Sequence, residues 1–143
     1  MPASENHGKP VFIKLISIVN GIASFLHLFF WILAFFRLSS IPVSQTLEAQ
    51  INRATTYGFG IADLFLSVPL LIIGSINLWN RRASGWLATQ MANVLYWYSF
   101  IVILIRDSAA GQLAPGTIIF LPFAVFAIWA AYHLWKCRND FLR

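Results

Sequence analysis

Four apolar stretches, separated by short polar segments, leave this chain very few ways to fold. They run over about 12–36, 60–78, 86–105 and 117–135. A helix needs ~20 apolar residues to cross a hydrocarbon core ~30 Å thick. In that form every backbone group finds its partner inside the segment. The chain therefore reads as all-α, an integral membrane four-helix bundle of antiparallel up-down topology with short loops. Composition points the same way. Of 143 residues, 59% are hydrophobic and 10% charged, against about 25% charged in ordinary globular domains. A water-soluble fold of this size cannot hide so much apolar surface.

The bundle takes up 12–136, between a mobile N-terminal tail (1–11) and a short C-terminal tail (137–143). No room is left for a separate soluble domain. The apolar run after Pro10 is longer than the ~7–15 residues of a signal-peptide core, and no small-x-small site closes it, so no cleaved signal is expected. The longest connection, Leu38 to Tyr57, contains Ile41-Pro42, which favours an extended turn. Ser44 can then cap a short helix that has Glu48 in its first turn and Leu47, Ile51 and Ala54 along one side. An amphipathic helix lying on the membrane surface is expected there. The alternative is an N-terminal extension of the second span, bent at Gly58 and Gly60.

Polar and small residues within the spans fall at helical spacing. In the first span Ser17, Asn20, Ser24, His27 and Trp31 follow at +3, +7, +10 and +14, one face of a helix. In the second, Gly60, Asp63, Ser67, Gly74 and Asn77 form a seam, and small residues on one face let helices approach closely in lipid. Pro69 interrupts this span and should bend it. The third span carries Thr89, Asn93 and Tyr96 on one side, and the fourth carries Ala124, Ala127 and Ala131. The polar bundle-facing set is thus Ser17, Asn20, Ser24, His27, Asp63, Ser67, Asn93 and Tyr96.

Lysine and arginine set the orientation. Lys9, Lys14, Arg81, Arg82, Lys136, Arg138 and Arg143 share one side, and Arg37, Arg53 and Arg106 the other, seven against three. Both termini are therefore expected in the cytoplasm, and in a prokaryote the membrane would be the plasma (inner) membrane. Trp79, Trp86 and Trp135 fall at the same cytoplasmic boundary. The formal charge of +5 is spread in short groups beside the spans, a pattern that anchors topology and offers no surface for nucleic acid. The bilayer is the expected partner, together with a second copy or another membrane protein. The single cysteine, Cys137, excludes an internal disulfide and CxxC redox chemistry.

Asp63 is the one carboxylate well inside an apolar stretch. Facing lipid it would cost ~2.5–3.5 kcal/mol even on the lenient insertion scale, so it should point into the bundle. Counted from the start of the second span it lies near the outer interface, where Arg37 and Arg106 could form an ion pair with it. His27 is the second candidate, as a hydrogen-bonded neutral imidazole or, through one water or the Tyr98 hydroxyl, as a proton partner of Asp63. No metal or cofactor is expected: His27 and His133 lie at different depths, and two side chains are too few ligands for a metal. Asn20, Asn77, Gln90 and Asn93 read as interhelical hydrogen-bond glue, and the aromatics around Tyr96 and Trp129 as packing. The chain contains no nucleophile elbow, Walker loop, HExxH or dinucleotide fingerprint.

Three functional classes fit these features. The favoured one is a small non-enzymatic multi-pass subunit or interaction protein. The second is an oligomeric proton-linked transporter using Asp63. The third is an intramembrane enzyme or binder of a lipophilic substrate, with His27 and Asp63 as an acid–base pair.

Overall fold

The computed structural model describes residues 11–40, 42, 46–113 and 115–142, and these are helical with short turns. Helix α1 is Val11–Ser40, α2 is Leu47–Ala62, α3 is Val68–Trp79, α4 is Ala83–Ala109 and α5 is Pro115–Lys136. A π-turn, Asp63–Ser67, joins α2 to α3, so Leu47–Trp79 runs as one 33-residue helix. Four helices are long and apolar enough to cross a membrane. Alpha1 packs on α3, α3 on α4 and α4 on α5, while α1 and α5 touch far less.

Two expectations change here. Among the described residues the first connection holds no separate helix: Leu47 onward continues directly into the second long apolar helix. Its polar residues lower the hydropathy, but they do not interrupt a helix-compatible run. The cap expected at Ser44 lies outside the described residues, and the helix begins after Thr46, whose backbone is extended. The break, moreover, falls beyond Gly58 and Gly60. Pro69 lacks an N–H, so an unbroken α-helix would leave the Phe65 carbonyl without its donor. The helix widens just ahead of it, and the Val68 N–H donates to the Asp63 carbonyl five residues back. Such π-turns recur at functional sites.

Both tight helix ends are Schellman caps. After α3, Arg82 N–H donates to Asn77 O at 2.8 Å and Arg81 N–H to Leu78 O at 3.0 Å, with Arg81 left-handed at φ 55°. After α4, Gln112 and Gly111 repeat the pattern onto Asp107 and Ser108, with Gly111 at φ 70°. The α3–α4 turn is so close that a Cβ on Gly85 would lie 2.1 Å from the Leu78 backbone nitrogen. No other residue fits.

The interior has two apolar layers. At the end that holds the α3–α4 turn, Ile13, Ile16, Leu78, Ala130 and Leu134 pack together with Phe141. Phe141 is 4% exposed, because a 3-10 turn at Arg138–Asp140 folds the chain back over this layer. The short C-terminal tail thus packs partly against the bundle; the N-terminal tail, apart from Val11 in α1, lies outside the described residues. The second layer is Ala23, Leu71, Ala92, Tyr96 and Ala127, flanked by Phe120 and Phe123. Large side chains such as Phe25, Phe65, Ile105 and Val125 face outward. This apolar exterior reverses the pattern of a water-soluble domain.

Candidate functional site

Beyond the second layer, the helices converge on Asp63. It opens the π-turn, and Ser67 on the far side of that turn donates its hydroxyl to Asp63 Oδ1 at 2.9 Å. Helix α1 contributes two residues one turn apart. Trp31 donates its indole N–H to Asp63 Oδ2 at 2.9 Å, and His27 Nε2 lies 3.7 Å from the same oxygen. Helix α4 completes the chain with the Tyr96 hydroxyl, 3.4 Å from His27 Nδ1. A carboxylate, an imidazole and a phenol are thus joined across α1, the π-turn and α4.

The surroundings explain why this arrangement holds. The His27 and Asp63 side chains are only 14% and 15% exposed, and a buried carboxylate is tolerated only where donors meet its oxygens. Neutral donors, Trp31 and Ser67, take one oxygen each. His27 stands edge-on to Tyr96 and Phe120, with ring centroids 5.5 and 5.9 Å away. Trp31 lies between Phe30 and Phe35. Gly60 lets these rings come close: a Cβ there would sit 2.5 Å from Phe35 Cζ and 2.6 Å from Trp31 Cε3. Chemically, the cluster does two things. It can hold three segments in register, and it keeps an imidazole 3.7 Å from the carboxylate, wider than a hydrogen bond.

The ion pair expected between Asp63 and Arg37 or Arg106 is not formed. Arg37 is six residues past Trp31 and Arg106 ten past Tyr96, ~9 and ~15 Å farther along their helices. The helix carrying Asp63 begins at Leu47 and not at Gly58 to Gly60, so Asp63 stands near its middle and not near its end. Arg106 instead donates to Asp107 Oδ1 through Nη2 at 2.8 Å and Nε at 3.1 Å. Thr117 of α5 donates to Asp107 Oδ2, so this buried carboxylate ties α4 to α5. Nor is Tyr98 the bridging hydroxyl. It is 59% exposed on the outside of α4, and Tyr96, two residues earlier, faces inward.

Of the sequence-predicted residues, His27, Asp63, Ser67 and Tyr96 come together; Ser17, Asn20, Ser24 and Asn93 lie elsewhere in the interior. Ser17 and Ser24 donate back to their own helix, at Ile13 O and Gly21 O. Asn20 donates to Thr89 Oγ1 at 3.1 Å, bridging α1 and α4. Gln90 donates to Ala131 O, and Asn93 to Gln90 Oε1. Asn77 donates to Ser84 across the α3–α4 turn. His133 sits among Phe12, Trp129 and Tyr132, far along the bundle from His27. Among the described residues, no three or more His, Cys, Asp or Glu side chains cluster as metal ligands. The sequence reading missed two donors. Trp31 stands four residues after His27, so their shared helix face was a usable signal; nothing in the sequence marks Thr117 as the partner of Asp107.

Compared with known proteins, the chain matches no family model, no curated protein and no solved structure.

Proposed function

We propose that the chain is a multi-pass integral membrane protein, an antiparallel up-down four-span bundle, that serves as a non-enzymatic subunit or interaction partner. The Asp63 cluster acts in it as a clasp between α1 and the second span. The contacts that support this topology run in opposite order along neighbouring helices. Ser17 meets Ser75 while Trp31 meets Asp63, and Trp86 meets Leu134 while Asp107 meets Thr117. The lysine and arginine bias supports a topology with both termini in the cytoplasm and, in a prokaryote, a plasma-membrane location. The bilayer and a second copy or another membrane protein are the partners; nucleic acid is not.

One observation carries the clasp: both Asp63 oxygens are taken by fixed neutral donors from the chain itself, at 2.9 Å each. An Asp63→Leu variant strands the Trp31 and Ser67 donors and should fail to accumulate in membranes or unfold at a clearly lower temperature in detergent. Wild-type accumulation with an unchanged unfolding midpoint would refute the clasp.

The approach of His27 to Asp63, at 3.7 Å, and of Tyr96 to His27, at 3.4 Å, favours the proton-linked transporter as a second reading. There, Asp63→Asn keeps the fold but abolishes proton uptake by reconstituted vesicles. The same pair could serve an enzyme or binder acting on a lipophilic substrate, with His27 and Asp63 exchanging a proton.

A further inference from the structure

An open groove runs between α1 and α3 at the end of the bundle that holds the α3–α4 turn. It is lined by Ser17, Ile18, Ser75, Ile76, Trp79 and Asn80, with a volume of about 290 Å³. Its floor is sealed: Ser75 Oγ donates to the Ser17 carbonyl at 2.7 Å, pinning the helices together at small residues. Its walls are apolar, with Ile18 50% and Ile76 57% exposed. Trp79 stands at the rim, where indoles favour the boundary between headgroups and acyl chains.

The mouth is basic. Lys14 lies one turn before Ile18 on the same face of α1, and Arg82 follows Asn80 in the turn; both are exposed. Lys136 ends α5 and Arg138 opens the 3-10 turn after it, at the same end of the bundle, where the layer containing Ile13, Leu78 and Leu134 joins these elements. Asp140 is the sole acid there among the described residues.

Resting on the membrane-spanning reading, we propose that this groove binds an anionic phospholipid of the cytoplasmic leaflet. One acyl chain lies along Ile18 and Ile76, and the headgroup phosphate meets the basic mouth. An apolar slot opening onto cations at the headgroup level matches the two ends of that molecule, and a zwitterionic lipid lacks the net charge to complement it.

The test uses the full chain purified in an uncharged detergent. Phosphatidylglycerol and phosphatidylcholine with identical acyl chains are offered separately, and bound lipid is counted by native mass spectrometry. Phosphatidylglycerol should be retained at least about fivefold better, and each of Lys14→Gln and Arg82→Gln should reduce that preference by up to about fivefold, the effect of one basic residue at an anionic surface. Ile76→Trp, which fills the slot from its lipid-facing side, should abolish retention while leaving the lipid-free unfolding midpoint in place. Should Ile76→Trp itself misfold, the two exposed charge variants still decide the matter. Equal retention of both lipids, or an unchanged preference in the charge variants, overturns the proposal. So does a thermal shift that inorganic phosphate alone reproduces in full, since the acyl slot would then have no part. A chain that stays soluble without detergent would instead overturn the membrane reading beneath it.

Discussion

The Trp31–Asp63 hydrogen bond can be measured on its own. Trp31→Phe removes the indole N–H, 2.9 Å from Asp63 Oδ2, and keeps most of a ring that is only 8% exposed and packed between Phe30 and Phe35. Hydrogen bonds to a charged acceptor contribute ~1.5–3 kcal/mol in soluble proteins, whereas side-chain bonds within membrane bundles average ~0.6 and reach ~1.7 kcal/mol. Asp63 is 15% exposed and keeps Ser67 as a second donor, so a coupling of ~1–2 kcal/mol is expected. The assay is a double-mutant cycle of Trp31→Phe and Asp63→Leu, read by equilibrium unfolding in mixed micelles. Ring-packing losses cancel in the cycle and the pairwise energy remains. A coupling below about 0.3 kcal/mol, within the usual additivity error, would refute the reasoning.

The two closest glycine contacts should respond differently to alanine. At Gly60 the added methyl meets the ring atoms of Phe35 and Trp31, which can yield. Gly60→Ala should therefore fold with a loss of ~1–3 kcal/mol and a shift in tryptophan emission. At Gly85 it meets backbone atoms of Leu78 and Asn77 at 2.1 and 2.3 Å, which cannot yield, so Gly85→Ala should not accumulate as folded protein in a membrane fraction. Cys137 lies just past α5, where burial is the main cause that holds its thiol pKa above the ordinary value, with Asp140 adding to the effect. A raised pKa keeps the thiol protonated as pH rises. Alkylation by iodoacetamide should therefore be slow at neutral pH and reach half its maximal rate at a higher pH than in the denatured chain.

How much of this could be read from the sequence differs from element to element. The spans were legible because apolar length and helical spacing are local properties. The inward stripe of α1 was legible for the same reason, and Ser17, Asn20, Ser24 and Trp31 are all buried. The start of the second span was not. Gln50, Asn52, Arg53, Thr55 and Thr56 lower the hydropathy without ending a helix, so the polar first half of Leu47–Trp79 looked like a connection. Read from Gly60, Asp63 falls near a helix end, within reach of arginines; read from Leu47, it falls at the middle of the helix. The π-turn depends on how Pro69, Asp63 and Ser67 settle against α1, which no local pattern encodes. Trp31 falls on the inward stripe of α1, but only the register of two helices brings its N–H to a carboxylate.

Single-cysteine labelling from each side of the membrane tests the inward placement of Asp63 most directly. In a Cys137→Ser background, cysteines replace Arg82, Ser108 or Ser67 in turn, Ser67 being buried one turn after Asp63, and intact cells or spheroplasts and inverted vesicles are treated with a membrane-impermeant maleimide. Position 82 should label only from the cytoplasmic side, position 108 only from the opposite side, and position 67 from neither until the protein is denatured. Labelling at position 67 in the native membrane, or at 82 and 108 from the same side, would contradict a four-span bundle that buries this carboxylate between its helices.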